Sequence, residues 1–205
     1  MIGYGICGSF CTHEKSLQTL QTLARRYEVL PVLSFNAASL DTRFGKAKDL
    51  VRKTGEITGQ SPVMTIVEAE PLGPKTPMEA FIIAPCTGNT LAKIASGITD
   101  TPVTMAAKAH LRTSRPLVIC LASNDSLSAN LKNIAALTEK KSVYFVPLRQ
   151  DDPEKKPFSL VADFSLVEQT LEFALEGKQL RPLFMTCAGG RKRRRYKLAP
   201  AAVER

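Results

Sequence analysis

The sequence predicts an α/β fold: a Rossmann-like three-layer domain with a six-stranded parallel sheet. Three observations support this prediction. The 205 residues are 44% hydrophobic and 23% charged, which is enough apolar material for one sizeable core. Short apolar runs alternate with stretches of helical periodicity, as in a parallel sheet wrapped by helices. The turns after several of these runs are rich in glycine and small polar residues, as expected at the ligand-binding edge of such a sheet.

The first part of the chain contains three predicted strands and two predicted helices. The first helix carries Leu17, Leu20 and Leu23 on one stripe. Pro31 weakens the prediction of the second strand, because proline cannot donate a hydrogen bond to a sheet ladder. The predicted elements are a strand with its turn at residues 2–10, a helix at 14–27, a strand at 28–35, a helix at 43–55 and a short strand at 62–68.

The second part begins after a loop rich in proline and glycine at residues 70–77. Its first helix has Leu91, Ile94 and Ile98 on one stripe, and its last helix ends at Gly177, a suitable C′ residue. The predicted elements are a strand at 79–84, a helix within 84–102, a helix at 101–112, a strand at 115–123, a helix at 126–140, a strand at 142–148 and a helix at 163–177.

The basic charge is concentrated at one end of the chain. The formal net charge is +9, but residues 191–205 hold seven basic residues and one acidic residue, which leaves 21 basic and 18 acidic residues, or +3, for residues 1–190. Such a run can bind nucleic acid or anionic lipid. We instead expect residues 1–184 to form the domain and residues 185–205 a disordered tail, with neither nucleic acid nor membrane as a partner.

The cysteine and histidine content excludes several classes of site. The five cysteines are odd in number and include no CxxC pair, which argues against a disulfide framework and a zinc ribbon. Only two histidines are present, so we expect no metal site. The first residues, MIGYGICGSF, lack a basic leader, and no apolar run approaches the roughly 20 residues of a membrane span. We therefore expect a cytoplasmic protein.

Four of the predicted turns meet at one edge of the predicted sheet. The turns after the first, second, fourth and fifth strands are GSFCT, SFNAAS, PCTGNT and ASNDS. Ligands of such sheets bind outside the carboxyl ends of the strands. Because these turns are rich in hydroxyls, amides and glycine, they suit a phosphate and a heterocycle held by neutral donors. Gly3, Gly5 and Gly8 match GxGxxG only by count, and no acidic residue ends the second strand, so a mononucleotide is favoured over a dinucleotide.

The stretch APCTGNTLAKIASGITDTPVTMAAKAHL, with the Gly8-Ser9 turn and RPLVICLAS, resembles the flavoprotein superfamily of FMN-dependent cysteine decarboxylases and flavin prenyltransferases. Pro85 to Thr90 fit that superfamily's flavin-lining pattern P-[AC]-[ST]-x-[NKS]-T. The resemblance implies FMN as the cofactor. It places Gly8, Ser9 and Phe10 at the flavin phosphate or ribityl chain, Ser34 and Asn36 at the phosphate pocket, and Thr87, Asn89 and Thr90 at the isoalloxazine edge. Taken alone, Thr87 can be a plain helix cap and Ser34 a turn former.

Within the superfamily, the turns are most similar to those of the dipicolinate synthase B subunits of spore-forming bacteria. That resemblance implies a cytoplasmic enzyme of the mother cell, which oxidises a dihydro- or hydroxytetrahydrodipicolinate during sporulation. It also implies a small dicarboxylate substrate, a homo-oligomer built from trimers, and a dehydrogenase-like A subunit of the synthase as the partner, where NADP is possible. The alternative is another FMN-dependent enzyme of the superfamily, a decarboxylase or a flavin prenyltransferase.

Departures from the superfamily weaken this alternative. The segment EAEPLGPKTPMEAF lacks the histidine of the cysteine decarboxylases, and Met105 stands where the prenyltransferases carry an arginine. Catalytic residues stay unassigned. Cys86 could be a nucleophile, but a small buried thiol is favoured. His110 could move a proton, although a surface or hydrogen-bonded helical histidine is favoured. Lys108 and Arg112 could meet a dicarboxylate, although a solvated helix face is favoured.

Overall fold

The computed structural model describes residues 1–186, and within them a seven-stranded sheet is flanked by helices. The strands are β1 (Ile2–Ile6), β2 (Val29–Leu33), β3 (Phe81–Cys86), β4 (Leu117–Ser123), β5 (Val143–Phe145), β6 (Leu148–Arg149) and β7 (Leu160–Ala162). The helices are α1 (His13–Ala24), α2 (Phe35–Ser39), α3 (Ala47–Thr58), α4 (Ile66–Ala69), α5 (Gly88–Ser96), α6 (Pro102–Leu111), α7 (Leu131–Thr138) and α8 (Val167–Leu175). The α/β prediction is confirmed.

The sheet is largely parallel but mixed. Its order is β2-β1-β3-β4-β7-β6, and β5 also pairs with β4. Strands β1 to β5 pair in parallel, whereas β7 runs antiparallel to both β4 and β6. Every residue of β1 and β3 is buried, as expected for central strands covered on both faces. The prediction of six parallel strands is therefore wrong in strand number and in direction.

The predicted strand at residues 62–68 is also wrong. Only Val63 pairs with the sheet, through an isolated bridge to Val32 of β2. Two residues later, Thr65 accepts a hydrogen bond from the N–H of Glu68, and the Glu68 carboxylate accepts one from the N–H of Thr65. This reciprocal capping box starts α4 and ends the extended segment. Pro31 is tolerated in β2 because β2 is an edge strand.

Close packing explains the first glycine of the weak GxGxxG match. A Cβ on Gly3 would lie 2.5 Å from both Met78 Sδ and Phe81 Cδ2. The absence of a side chain at Gly3 therefore leaves room for the side chains of Met78 and Phe81 to pack against β1. Close packing alone is therefore sufficient to account for glycine at this position.

Hydrogen bonds and an ion pair fix α1 against the sheet and against α8. The Tyr4 hydroxyl donates to the backbone oxygen of Ser16 at 3.0 Å, and the Ser16 hydroxyl donates to the backbone oxygen of Ala84. Just after the end of α1, Arg26 pairs with Glu168 of α8 at 2.6 Å. Ser16 of α1 thus contacts both β1, through Tyr4, and β3, through Ala84.

Helix α8 is the last helix among the described residues. Helix α8 ends before Gly177, which has φ +74° as predicted for a C′ residue. From residue 187 onward, the predicted basic tail lies outside the described residues. Within residues 1–186, no helix combines the length and apolar character needed to cross a membrane.

Candidate functional site

Two adjoining cavities lie at the carboxyl ends of the parallel strands. The larger has a volume of about 620 Å³ and is bordered by the turns after β1, β3 and β4. The smaller has a volume of about 340 Å³ and is bordered by the turns after β1, β2 and β3. Gly8, Thr87 and Asn89 line both cavities. One extended ligand can therefore occupy both of them across this shared wall.

The structure brings all eight residues predicted from the sequence to these cavities. Gly8, Thr87 and Asn89 lie at the junction, Ser9 and Phe10 line the larger cavity, and Ser34, Asn36 and Thr90 line the smaller one. Residues as far apart as positions 8 and 90 meet because parallel strands present their carboxyl ends at one edge.

A groove with a larger volume, about 750 Å³, lies between α1 and the strands β6 and β7 and shares only Asp151 and Val161 with the larger cavity. Two of its charged side chains, Arg149 and Asp163, pair with each other, and Glu168 pairs with Arg26. The turns at the ends of the parallel strands do not line it. We therefore place the functional site at the two adjoining cavities and not at the groove of greater volume.

Ser34 combines a structural role with an unused donor. Its Oγ accepts a hydrogen bond of 3.3 Å from the N–H of Ala37 and so caps the short helix α2. Among the described residues, its hydroxyl hydrogen has no partner. Ser34 is only 7% exposed but lines the smaller cavity. It is therefore both the predicted turn former and a group that can donate to a ligand.

The two threonines of the β3 turn form a hydrogen-bonded chain. Thr87 Oγ1 accepts from the N–H of Thr90 at 3.2 Å and donates to Thr90 Oγ1 at 3.0 Å. Thr90 Oγ1 in turn donates to Cys7 Sγ at 3.3 Å. Because each hydroxyl has one hydrogen, both threonines can only accept from a ligand. The donors at this turn are the Asn89 side-chain amide and the backbone N–H groups of Gly88 and Asn89, the first two residues of α5, which have no intrahelical partners.

Three side chains that the sequence did not single out hold the start of α5. Ser123 donates to Asp125, and the Asn130 amide donates to the other oxygen of Asp125 at 2.9 Å. Gly88 packs directly onto this trio, because a Cβ there would lie 2.5 Å from Ser123 Oγ and 2.6 Å from Asn130 Nδ2. The sequence predicts ASNDS as a ligand turn, but no local sequence signal indicates the role of Asn130.

Each cavity also contains a lysine, whereas the turns alone suggested a nearly uncharged site. In the smaller cavity, Lys93 Nζ donates to both carboxylate oxygens of Asp100, at 2.9 and 2.8 Å. In the larger cavity, Lys156 pairs with Asp151 at 2.7 Å. Lys93 lies four residues after Asn89, on the same face of α5, and this spacing is the signal that could have identified it.

Comparison with known proteins identifies the family. The family model described as Flavoprotein matches residues 1–167, which is most of the chain. The chain belongs to the flavoprotein family. It is 45% identical over 185 residues to the B subunit of dipicolinate synthase from Bacillus subtilis (strain 168), with 90% of this chain and 92% of that protein covered.

Solved structures give the same picture of this flavoprotein. The crystal structure of the dipicolinate synthase B subunit from Bacillus halodurans C matches it with a TM-score of 0.83 at 40% identity, covering 90% of this chain and 95% of that one. The FMN-dependent cysteine decarboxylase SpaF matches with a TM-score of 0.63 at 24% identity, covering 84% of this chain and 95% of that one. The second likeness concerns the fold alone.

The remaining candidates from the sequence lie in the interior or away from the cavities. Cys86 is fully buried, and burial raises the pKa of its thiol well above the ordinary value. His110 is also fully buried, and its Nε2 donates to the backbone oxygen of Pro116 at 2.9 Å. Lys108 and Arg112 line neither cavity. The structure therefore agrees with the alternatives that the sequence favoured. Cys86 is a buried thiol, His110 is a hydrogen-bonded helical histidine, and Lys108 and Arg112 lie outside the site.

Proposed function

We propose that this flavoprotein is the B subunit of a dipicolinate synthase, an oxidoreductase that forms pyridine-2,6-dicarboxylate from a dihydro- or hydroxytetrahydrodipicolinate. The observation that carries the proposal is the similarity to the Bacillus subtilis B subunit, 45% identity over nearly the full length of both chains. The convergence of the predicted residues on two adjoining cavities supports it. We assign the flavin-binding domain to residues 1–184.

The donor set of the two cavities suits FMN, which has a phosphate at one end and a heterocycle at the other. We place the phosphate in the smaller cavity, where Ser34, Asn36 and Lys93 would hold it. The unpartnered Ser34 hydroxyl hydrogen and the ammonium of Lys93 are the donors that a phosphate requires. The heterocycle would lie in the larger cavity, with Gly8, Ser9 and Phe10 along the connecting wall. When bound, FMN would supply a hydride acceptor.

The proposed reaction determines which groups must be removed from the substrate. Conversion of the dihydro compound to the aromatic ring removes one hydride and one proton, and the hydroxytetrahydro compound loses water as well. In this chain, Asp125 accepts hydrogen bonds on both oxygens, from Ser123 and Asn130. It therefore holds the wall of the larger cavity in place. We assign the catalytic base to no residue of this chain, and NADP, where it is used, to the partner A subunit.

We propose a homo-oligomer built from trimers that works with a dehydrogenase-like A subunit in the cytoplasm of the mother cell. The rim of the two cavities supports assembly, because it carries exposed apolar side chains. Phe35 is 44% exposed and Phe44 is 54% exposed, and each lines one cavity. Large exposed apolar side chains around a cleft are typical of interaction surfaces.

The test is co-expression with the candidate A subunit, followed by an ultraviolet assay for dipicolinate with and without added FMN. We expect product only when both proteins are present, and a higher rate with FMN. Full activity of the candidate A subunit without this chain would contradict the proposal. Carbon dioxide release from cysteinyl substrates, or a prenylated flavin in the mass spectrum, would instead support the alternative of a decarboxylase or flavin prenyltransferase.

A further inference from the structure

We propose that Lys156 binds a carboxylate group of the substrate and thereby selects a pyridine dicarboxylate. This inference rests on the proposed function, because that function supplies a dianionic substrate. The larger cavity is otherwise lined by neutral side chains and by the carboxylates of Asp125 and Asp151. A dianion would be repelled by such a lining unless a cation received one of its carboxylates.

Backbone hydrogen bonds fix the position of the loop that carries Lys156. Leu160 of β7 is in register with Ser123 at the end of β4, so the loop returns directly to the edge of the site. The Ser159 hydroxyl donates to the backbone oxygen of Ser123 at 3.3 Å, and the N–H of Ser159 donates to the backbone oxygen of Lys156 at 3.0 Å. The N–H of Lys156 donates to the backbone oxygen of Asp152 at 2.7 Å. The ammonium is thus presented at the cavity from an anchored turn.

Lys156 forms an exposed ion pair with Asp151, and a carboxylate of the substrate can displace Asp151 from it. Its Nζ lies 2.7 Å from Asp151, and the two side chains are 55% and 47% exposed. Exposed ion pairs of this kind contribute little to stability, because water screens them. The Asp151 carboxylate raises the pKa of Lys156 above its ordinary value, so the side chain is charged at neutral pH. A carboxylate of the substrate can therefore take the place of Asp151.

Other cations of the chain are less suited to this task. Lys93 lines the smaller cavity, which we assign to the flavin phosphate, and it does not line the larger one. Lys108 and Arg112, which the sequence suggested for a dicarboxylate, line neither cavity. Among the described residues that line the larger cavity, Lys156 is the single lysine or arginine.

The experiment compares Lys156→Met and Lys156→Arg with Lys155→Met, an adjacent exposed lysine that does not line the cavity. Steady-state kinetics are measured on the complex with the A subunit. Calorimetry on the isolated FMN-loaded chain measures binding of pyridine-2,6-dicarboxylate and of pyridine. For Lys156→Met we expect KM and the Kd of the dicarboxylate to rise by about tenfold, the effect of losing one charge-assisted hydrogen bond. We expect little change in kcat, in pyridine binding or in FMN affinity.

Lys156→Arg should retain most of the dicarboxylate affinity, and Lys155→Met should behave as the wild type. Suppose that the wild-type complex is active but Lys156→Met changes neither KM nor the affinity for the dicarboxylate. That result would overturn this inference and leave the proposed function intact. If the wild-type complex forms no dipicolinate, the proposed function fails, and the calorimetry then decides the inference alone. Absence of dicarboxylate binding, or equal loss of FMN affinity in Lys156→Met, would also overturn it.

Discussion

Gly88 and Ser123 lie so close together that a Cβ on Gly88 would be 2.5 Å from Ser123 Oγ. Gly88 begins α5, and Ser123 ends β4. The contact therefore joins two of the turns that border the larger cavity. Ser123 cannot move aside independently, because it donates to Asp125, which also accepts from the Asn130 amide. The absence of a side chain at position 88 sets the spacing of the candidate site.

Gly88→Ala is expected to destabilise the protein by about 1–3 kcal/mol, because overpacking forces hydrogen-bonded side chains apart. Urea denaturation measures this change. Adding Ser123→Ala to Gly88→Ala should recover part of the loss by removing the nearest atom. Gly55→Ala is the matched control, since its nearest contact beyond the helix would be an ordinary 3.5 Å. An unchanged urea midpoint in Gly88→Ala would contradict the packing described here.

Lys93→Met is expected to weaken FMN binding by about tenfold and to leave riboflavin binding unchanged. Riboflavin lacks the phosphate, so it reports whether Lys93 acts on that group through a charge-assisted hydrogen bond. Fluorescence titration with the two flavins measures both affinities. Lys108→Met, on an exposed part of α6, controls for the loss of a positive charge. Equal losses for FMN and riboflavin would contradict the placement of the phosphate in the smaller cavity.

Iodoacetamide at neutral pH is expected to modify Cys11 and to spare Cys7, Cys86 and Cys120. Cys11 is exposed, whereas the other three are buried. Burial raises the pKa of Cys7 to about 11, and it also raises the pKa of Cys86 and Cys120. The reactive thiolate is therefore scarce at these positions. Peptide mass spectrometry distinguishes the sites, and denatured protein serves as the control. Rapid labelling of native Cys86 would restore the nucleophile hypothesis.

The free energy of unfolding is expected to decrease as the pH is lowered below about 6.5, the ordinary pKa of histidine. The two histidines are the expected cause. Burial lowers the pKa of His110 in the folded protein, so the unfolded chain binds a proton more readily. The stabilising contribution is thus complete above the unfolded pKa and is lost as the pH falls towards the folded pKa. Within residues 1–186, His110 Nδ1 is buried without a hydrogen-bond partner, and protonation would place a hydrogen on it there.

His110→Gln should reduce this loss, because its amide N–H can still donate to Pro116 and does not titrate. Urea denaturation at several pH values between about 7 and 5 measures the slope. Burial also lowers the pKa of His13, so a smaller slope remains in the variant. A slope equal to that of the wild type would contradict the assignment to His110.

Much of the central sheet could be predicted, because β1, β3 and β4 are continuous apolar runs followed by polar turns. The position of the site followed from the same pattern, since parallel strands end at one edge. The errors have local physical causes. Residues 62–68 are apolar enough for a strand, but the Thr65 and Glu68 capping box favours a helix. The strands β6 and β7 have two and three residues, too few for an alternating pattern to be recognised.

The missed site residues depend on tertiary contacts. Asn130 is at the amino end of α7, and only the packing of α7 beside α5 brings it to Gly88. Lys156 lies in a loop with no motif, and the pairing of β7 with β4 brings it to the larger cavity. No spacing along the chain encodes either position, so reasoning from single strands and turns could not identify them.

The central claim, that the two adjoining cavities hold FMN, is tested most directly by calorimetric titration of FMN into the purified oligomer. The account predicts saturable binding of about one FMN for each chain, with tighter binding than that of riboflavin because the phosphate contributes charge-assisted hydrogen bonds. A protein that folds and assembles but shows no heat of binding, and no change in flavin fluorescence, would contradict it.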